Sequence, residues 1–593
     1  MRTSADNLSH PDDANAGSRW WPVARAPRGI ALLALCLLVY LPGLWALPAV
    51  DRDESRFAQA SRQMFESVAL PAAERDPALH GGGVIVPRVQ GKDRLNKPPL
   101  IYWLQACSAA AFTGGETARD AIWMYRVPSV LAAIIAVLAT WRLGRAMFGP
   151  GVGMLAAMTL AVCPVVAWEA RQARADMLLL ACTTVALASL WQVVEAGLQG
   201  RRAGWGPVLG FWVAMALGIL AKGPITPMVV VLALLGTCIV TRRWRWVAGL
   251  RPIVGLVLVA AMVVPWLVAV GERVGWDRYV GLVVDETLGR SVAAKEGHWG
   301  PPGYHLALLV LLFWPGSLLT GWAVVRGLRE VRCMLARRAD VGPPETSAAA
   351  STLHPTLFCL AWALPAWIVL EIVGTKLPHY TLPLYPALAL LSARLALAPP
   401  SPPMPRLARH GVRLWMTAGL LLALAPLAVV LVLDSASSAA LGISMGGLPL
   451  LAAALVLAWR TMASGRWGEA MHGAVMLMGG WLVWLFALLP RLDVLWTTRA
   501  IAGAVGQPPP RLATCDYDED SLAFLARGRL DRVAAAEGAA WLATHPDGVL
   551  IAPAEPMIPG SRRIDRVRGF NYSKGRWVDL GLFVAEPLAT PSP

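Results

Sequence analysis

From Ile30 to Val50 no side chain carries a charge, and the chain then reads DRDESRFAQASRQM over residues 51–64. A run of that length is about what a bilayer's hydrocarbon core requires, roughly 17–25 residues. Val152–Ala167 and Met177–Val194 are runs of the same kind. Only 15% of the residues are charged and 56% are hydrophobic, with a mean hydropathy of +0.52. Water-soluble domains carry about 25% charged residues, so these runs predict a mostly α-helical, polytopic membrane protein. The first run is too long for a removable signal peptide and lacks a small-residue cleavage site.

Charge sets the expected threading. Arg19, Arg25 and Arg28 precede the first run, and further arginine clusters follow at Arg142/Arg145, Arg201/Arg202, Arg242/Arg243/Arg245, Arg326 to Arg338, Arg406/Arg409/Arg413 and Arg460/Arg466. Placing all of them in the cytoplasm by the positive-inside rule gives about 13 transmembrane helices. Residues 1–28 are then a cytoplasmic tail and 29–490 a transmembrane domain. A first external loop is expected at about 51–120 and a long one at about 271–303. The net charge of +15 is explained by these loops. No basic stripe interleaved with aromatics appears, which excludes a nucleic-acid partner. None of the eight cysteines lies in a CxxC or CxxxC pair, so no disulfide framework is expected.

After Leu489 the hydropathy collapses to that of a soluble domain. QPPPRLATCDYDEDSLAFLARGRL reads as linker, strand and capped helix, and FNYSKGRWVDLGLFVA as two strands about a Ser-Lys-Gly turn. A small external α/β domain is expected over 491–593.

The external loops hold the unusual charge. Phe57, Ser61, Met64, Phe65 and Val68 recur at helical spacing, predicting an amphipathic helix along the membrane surface. Asp53 and Glu54 fall in its first turn, where the helix dipole favours acids whether or not they react. LNKPPLIYW sets Lys97 before two prolines. WEARQARAD brings Glu169, Arg171, Arg174 and Asp176 to the mouth of an apolar run. The long loop carries Asp285, Glu286, Arg290 and His298, and GTKLPHYTLPLYP carries Lys376, His379 and Tyr380. All six lysines fall on the expected external side. Codon usage is one account of that pattern; a need for compact ammonium groups against phosphate is another. Cations beside one or two carboxylates at a lipid boundary suit a substrate whose phosphate is held while its tail stays in the bilayer. One carboxylate could take a proton from an incoming nucleophile.

DRDESRF, VPRVQGKDRLNKPPLIYW, RQARAD, AKGP, DETLGR and TKLPHYTLP, in that order, resemble the bacterial aminoarabinose transferase (ArnT-like) family of GT-C glycosyltransferases, relatives of the protein mannosyltransferases. The resemblance runs from about Leu41 to Pro386 and returns in SLAFLARGRL and GFNYSKGR. It implies a GT-C fold and transfer of a sugar from a polyprenyl (undecaprenyl) phosphate, on the periplasmic face of the bacterial inner membrane, to lipid A or another envelope glycan. Asp53 matches the family's catalytic aspartate and Asp176 a second important acid, with Glu54 as a further catalytic candidate. Arg56, Lys97 and Arg290 match phosphate-binding positions, and Arg174, Lys376 and Tyr380 are further substrate-binding candidates. Protein O-glycosylation and, in a different class, a polyprenyl-lipid flippase are the alternatives. A flippase predicts internal repeats and midplane charge, which the sequence lacks. Asn96 and Thr287 stand where relatives carry Glu and His at positions associated with a metal. No cofactor or catalytic metal is therefore expected, although a divalent ion stays possible, with His298 as a substitute ligand.

Overall fold

The computed structural model describes residues 28–286, 299–341, 354–398, 406–433, 441–442, 445–506 and 510–586. Arg290, Thr287 and His298 lie outside them.

Among the described residues seven helices are long and apolar enough to cross a membrane, and six further apolar helices are shorter, of 10–17 residues. The protein is a multi-span membrane protein, and the expected number of about 13 spans is not reached by helices of full spanning length. Two of the expected spans are interrupted, for local reasons. The first helix, α1 (Arg28–Tyr40), stops well short of Val50. Pro42 cannot donate the next helical hydrogen bond, and Gly43 adopts φ +77°, where an added Cβ would lie 2.6 Å from the Phe486 carbonyl oxygen. The freed carbonyls of the following turn are taken up by a buried arginine. Arg126 donates to the Leu44, Leu47 and Pro48 oxygens at 2.9, 2.7 and 2.7 Å. Arg171 does the same for Pro42 and Val39. The run Val152–Ala167 likewise divides, because Pro164 starts a new helix.

The second helix, α2 (Asp53–Ala69), forms where the apolar spacing predicts it. Neither face of it is left free. Residues are buried around its circumference, with α3 (Leu100–Thr113) on one side and a helix of the C-terminal domain on the other. Before α3 comes a short antiparallel hairpin, β1 (Arg88–Val89) and β2 (Lys92–Asp93). The helices that frame the site follow: α4 (Ile122–Phe148), α5 (Pro150–Ala161), α6 (Pro164–Glu169), α7 (Asp176–Leu198) and α8 (Trp205–Lys222). α4 packs on α5 and α7, and α7 on α8. Later in the chain α9 (Pro355–Ile372) ends just before the TKLPHYTLP segment.

The C-terminal domain is a five-stranded sheet in the order β4-β3-β5-β7-β6. Its strands are β3 (Leu512–Thr514), β4 (Leu530–Arg532), β5 (Val549–Pro553), β6 (Ser561–Asn571) and β7 (Arg576–Ala585). β3 is parallel to β4 and β5, while β7 runs antiparallel to β5 and β6. The strand, helix and Ser-Lys-Gly hairpin expected from the sequence are all present. The helix, α10 (Asp520–Leu525), has no cap from its own N-cap residue; Asp51 of the first loop accepts the Ser521 N–H at 2.9 Å instead.

Candidate active site

A cavity of about 520 Å³ opens where the start of α2, the segment after β2, the α6–α7 turn, the end of α8 and the TKLPHY segment meet. Its walls are of two kinds. Pro164, Val165, Trp168, Leu312, Leu377 and Pro378 are apolar, while Asp53, Arg56, Arg94, Lys97, Arg174, Asp176 and Lys222 are charged.

Asp53 is held at the N-terminus of α2 with its side chain 42% exposed to the cavity. One carboxylate oxygen lies 3.6 Å from Arg94 and the other 3.5 Å from Arg174. Burial pushes this carboxyl up, but Arg174, Arg94, Arg56 and Lys97 outweigh it and hold it below its ordinary value. The residue before it, Arg52, has φ +66°, a region that residues other than glycine rarely adopt. The tip of the β6–β7 hairpin secures this turn: the Tyr572 hydroxyl accepts the Asp51 N–H at 2.8 Å, and the Arg52 guanidinium donates to the Ser573 carbonyl.

Glu54, one residue on, is fully buried and fully bonded. It receives Arg126 at 2.8 and 2.9 Å, the Val50 N–H at 2.8 Å and the Ala173 N–H at 2.9 Å. All of its acceptor capacity goes to joining the first loop, α4 and the α6–α7 turn, so its geometry is that of a brace.

Arg174 is the hub of the inner wall. It lies 3.2 Å from Glu169, 3.8 Å from Asp176 and 3.4 Å from the His379 ring. Asp176, at the start of α7, also meets Lys222 at 2.5 Å and His379 at 3.5 Å. Burial lowers the His379 imidazole to about 3, so the ring is neutral and accepts from Arg174. Burial pushes the Glu169 carboxyl up to about 7, against the pull of Arg174. Lys222 sits 5.3 Å from the Tyr380 ring centre. Lys97 approaches Glu286 at 3.5 Å, and its ammonium donates to the Asn96 carbonyl at 3.0 Å. Arg56 reaches across to Asp520 of the C-terminal domain at 2.7 Å. Glu169 Oε2, Arg174 Nε and Asn96 Oδ1 are buried on this wall without a hydrogen-bond partner among the described residues. Buried polar atoms are rarely left so, and a polar ligand in the cavity would satisfy them.

Asp53, Asp176, Arg56, Lys97, Arg174 and Tyr380 thus share one cavity. Lys376 does not: its ammonium donates to the Glu371 and Val373 carbonyls at 2.9 and 2.6 Å, closing the C-terminus of α9. A cation at a helix C-terminus is stabilised by the exposed carbonyls there, and that is where this one is spent. Glu169 and His379 stand in the charged external stretches and Lys222 among the external lysines, but the sequence assigns a role to none of them, nor to Arg94. Arg94 and Lys222 lie in the motifs VPRVQGKDRLNKPPLIYW and AKGP, and only the fold shows that the four converge. Among the described residues no group of three or more His, Cys, Asp or Glu is placed to hold a metal ion. Among the described residues the inward carboxylates Asp53, Glu169 and Asp176 each face Arg or Lys, an arrangement that suits an anion better than a divalent ion.

A family model described as dolichyl-phosphate-mannose-protein mannosyltransferase matches residues 96–268. A protein of Edwardsiella ictaluri named undecaprenyl phosphate-alpha-4-amino-4-deoxy-L-arabinose arabinosyl transferase is 28% identical over 373 residues, 61% of this chain and 57% of its own length. A Pseudomonas aeruginosa protein of the same name is 28% identical over 370 residues, 61% of this chain and 58% of its own. Each match therefore spans less than two thirds of the relative's length. The crystal structure of ArnT from Cupriavidus metallidurans bound to undecaprenyl phosphate superposes with a TM-score of 0.64 at 20% identity, covering 95% of this chain and 99% of that one. Its apo form gives the same values. The chain has the ArnT-like GT-C fold that its motifs resemble.

Proposed function

We propose that the protein transfers a sugar from a polyprenyl phosphate to lipid A or another glycan of the cell envelope, at a cavity facing the periplasm of the bacterial inner membrane. One observation carries this reading. A partly exposed, ionised Asp53 is set among Arg94, Arg174, Arg56 and Lys97 in a cavity whose other wall is apolar. The arginines and lysine suit a phosphate, and the apolar wall suits the first isoprene units of its tail. The relatives named as undecaprenyl phosphate-dependent arabinosyl transferases support the same donor class.

In this reading the acceptor oxygen attacks the anomeric carbon of the donor sugar. The anomeric carbon–oxygen bond breaks, and its electron pair leaves on the phosphate. Lys97 and Arg56 neutralise that charge as it develops, with Arg290 assigned beside them from the family resemblance alone. A hydroxyl acceptor gives its proton to Asp53. A phosphate acceptor is already ionised, and Asp53 then orients the sugar. Asp176, held between Lys222, Arg174 and His379, positions the inner wall where the sugar would lie, with Tyr380 beside it. Glu54 serves as the buried brace of the segment. No step requires a metal.

The test is mass spectrometry of lipid A, surface glycans and envelope glycoproteins from cells with the gene, without it, and with Asp53→Asn. The reading expects one sugar modification that requires both the gene and Asp53. A modification found only on protein would move the acceptor to the class named by the mannosyltransferase family model. No difference in any fraction would overturn the proposal.

A further inference from the structure

A second cavity, of about 470 Å³, lies where the start of α1 meets the end of α4 and the start of α5. Arg28, Arg142 and Arg145 line it, together with Gly29, Ile30, Leu33, Leu138, Trp141 and Pro150. Its depth follows from α4. Arg126 on that helix pairs with Glu54 next to the active-site aspartate, and Arg142 and Arg145 lie about 24–29 Å further along at 1.5 Å per residue. A hydrocarbon core is about 30 Å thick, so the three arginines stand at headgroup level on the opposite face.

Two features say what the cavity takes. Among the described residues none of the three guanidinium groups is paired with a carboxylate, and the buried Trp141 Nε1 has no hydrogen-bond partner. The indole lies against α1 where Gly29 has no side chain; a Cβ there would meet the ring at 3.3 Å. Apolar rows also lead away from the arginines towards the bilayer centre. On α4, Leu131 and Ile135 are 55% and 49% exposed and stand on the face that continues through Leu138 to Arg142 and Arg145. On α1, Ile30, Leu33 and Leu37 are 57%, 37% and 38% exposed at helical spacing. A free anion has no use for such rows; a lipid tail does.

We propose that this cavity binds the headgroup phosphate of an anionic diacyl phospholipid, with its acyl chains along the exposed rows of α1 and α4. The guanidinium groups form charge-assisted bonds to the phosphate oxygens, and the Trp141 N–H donates to an ester or phosphate oxygen. The site is separate from the sugar-transfer cavity and does not depend on that reading.

The full-length protein in mild detergent, titrated by native mass spectrometry with phosphatidylglycerol, phosphatidylcholine or inorganic phosphate, tests the assignment. Phosphatidylglycerol is expected to bind at least about tenfold more tightly than phosphatidylcholine, and Arg142→Gln with Arg145→Gln to weaken it by about tenfold. The equal charge loss of Arg242→Gln with Arg243→Gln should leave affinity within about twofold. Trp141→Phe, which keeps the charge, should weaken binding several-fold through the lost N–H. Melting in lipid-free detergent checks that each variant is folded, and Trp141→Phe carries the test if the double variant is not. Equal affinity for the two lipids, an equal loss in the control pair, or displacement of the lipid by millimolar phosphate would overturn the proposal.

Discussion

Lys97 follows Asn96 and precedes two prolines that restrict the local backbone, and its side chain lines the cavity. If it holds the donor phosphate, Lys97→Ala should raise the apparent KM for polyprenyl-phosphate donor by about tenfold or more, the usual scale for a charge-assisted contact. Lys97→Arg should recover only part of this, since a planar fork does not replace a point charge. Arg243→Ala, in a distant exposed loop, should change nothing. Initial rates against donor concentration decide it, and equal KM for all three contradicts the assignment. Glu169 gives a pH signature. Burial lifts its carboxyl to about 7, so rising pH through that value adds a negative charge beside the cavity. Donor affinity in the wild type should therefore fall, relative to Glu169→Gln, as pH climbs through about 7. Parallel pH profiles for the two proteins would remove Glu169 from the site. Asp53, Lys97 and Asp176 were legible in the sequence because each is a charge stranded at the edge of an apolar run. Arg94, Glu169, Lys222 and His379 needed the fold, as their meeting joins residues more than two hundred positions apart. Lys376 looked equally stranded, yet its ammonium closes a helix end, a role that spacing alone does not separate from phosphate binding.

Helices carry the same lesson about local and distant causes. The apolar spacing of 57–68 placed α2 correctly, because helical period is a local signal. It could not show that both faces are covered, because one cover comes from α10 near the other end of the chain. Similarly, composition merged α1 with the turn after it; Pro42 and Gly43 were visible breakers, but the buried Arg126 and Arg171 that make a turn tolerable there were not. The docking of α10 is itself testable. Asp51 accepts the Ser521 N–H, and burial, followed by Glu519 and Asp520, raises its carboxyl from 3.8 to about 6. Between those values the folded protein holds a proton that the unfolded chain has released, so stability falls as pH rises through that window. Asp51→Asn does not titrate and can still accept the N–H. Its melting temperature should pull above the wild type's between about pH 4 and 6 and stay above it at neutral pH. Asp51→Leu, which leaves the N–H without an acceptor, should melt below both, by the equivalent of about 1–3 kcal/mol. Identical pH dependence of wild type and Asp51→Asn contradicts this account of the contact.

At the scale of the whole molecule, the transmembrane region lines the cavity and the soluble-type domain braces its rim. The β6–β7 hairpin fixes the Arg52 turn that presents Asp53, and Arg527 of the C-terminal domain binds Asp120 and Glu66 at 2.8 and 2.6 Å below it. Hydropathy revealed the apolar and the soluble-type regions, since it is a sum over many residues. Their interlocking was not legible, because each contact pairs a residue from one end of the chain with one from the other. The central claim is that Asp53 in this cavity drives sugar transfer off a polyprenyl phosphate. Its most direct measurement is the release of free polyprenyl phosphate from a polyprenyl-phosphate sugar by purified protein in vesicles containing acceptor glycolipid. The wild type should release one polyprenyl phosphate for each sugar transferred, and Asp53→Asn, inserted and folded as the wild type, should be slower by about 10²–10⁴-fold. Equal release by the two proteins, or intact donor carried across the bilayer with no release, would contradict the account.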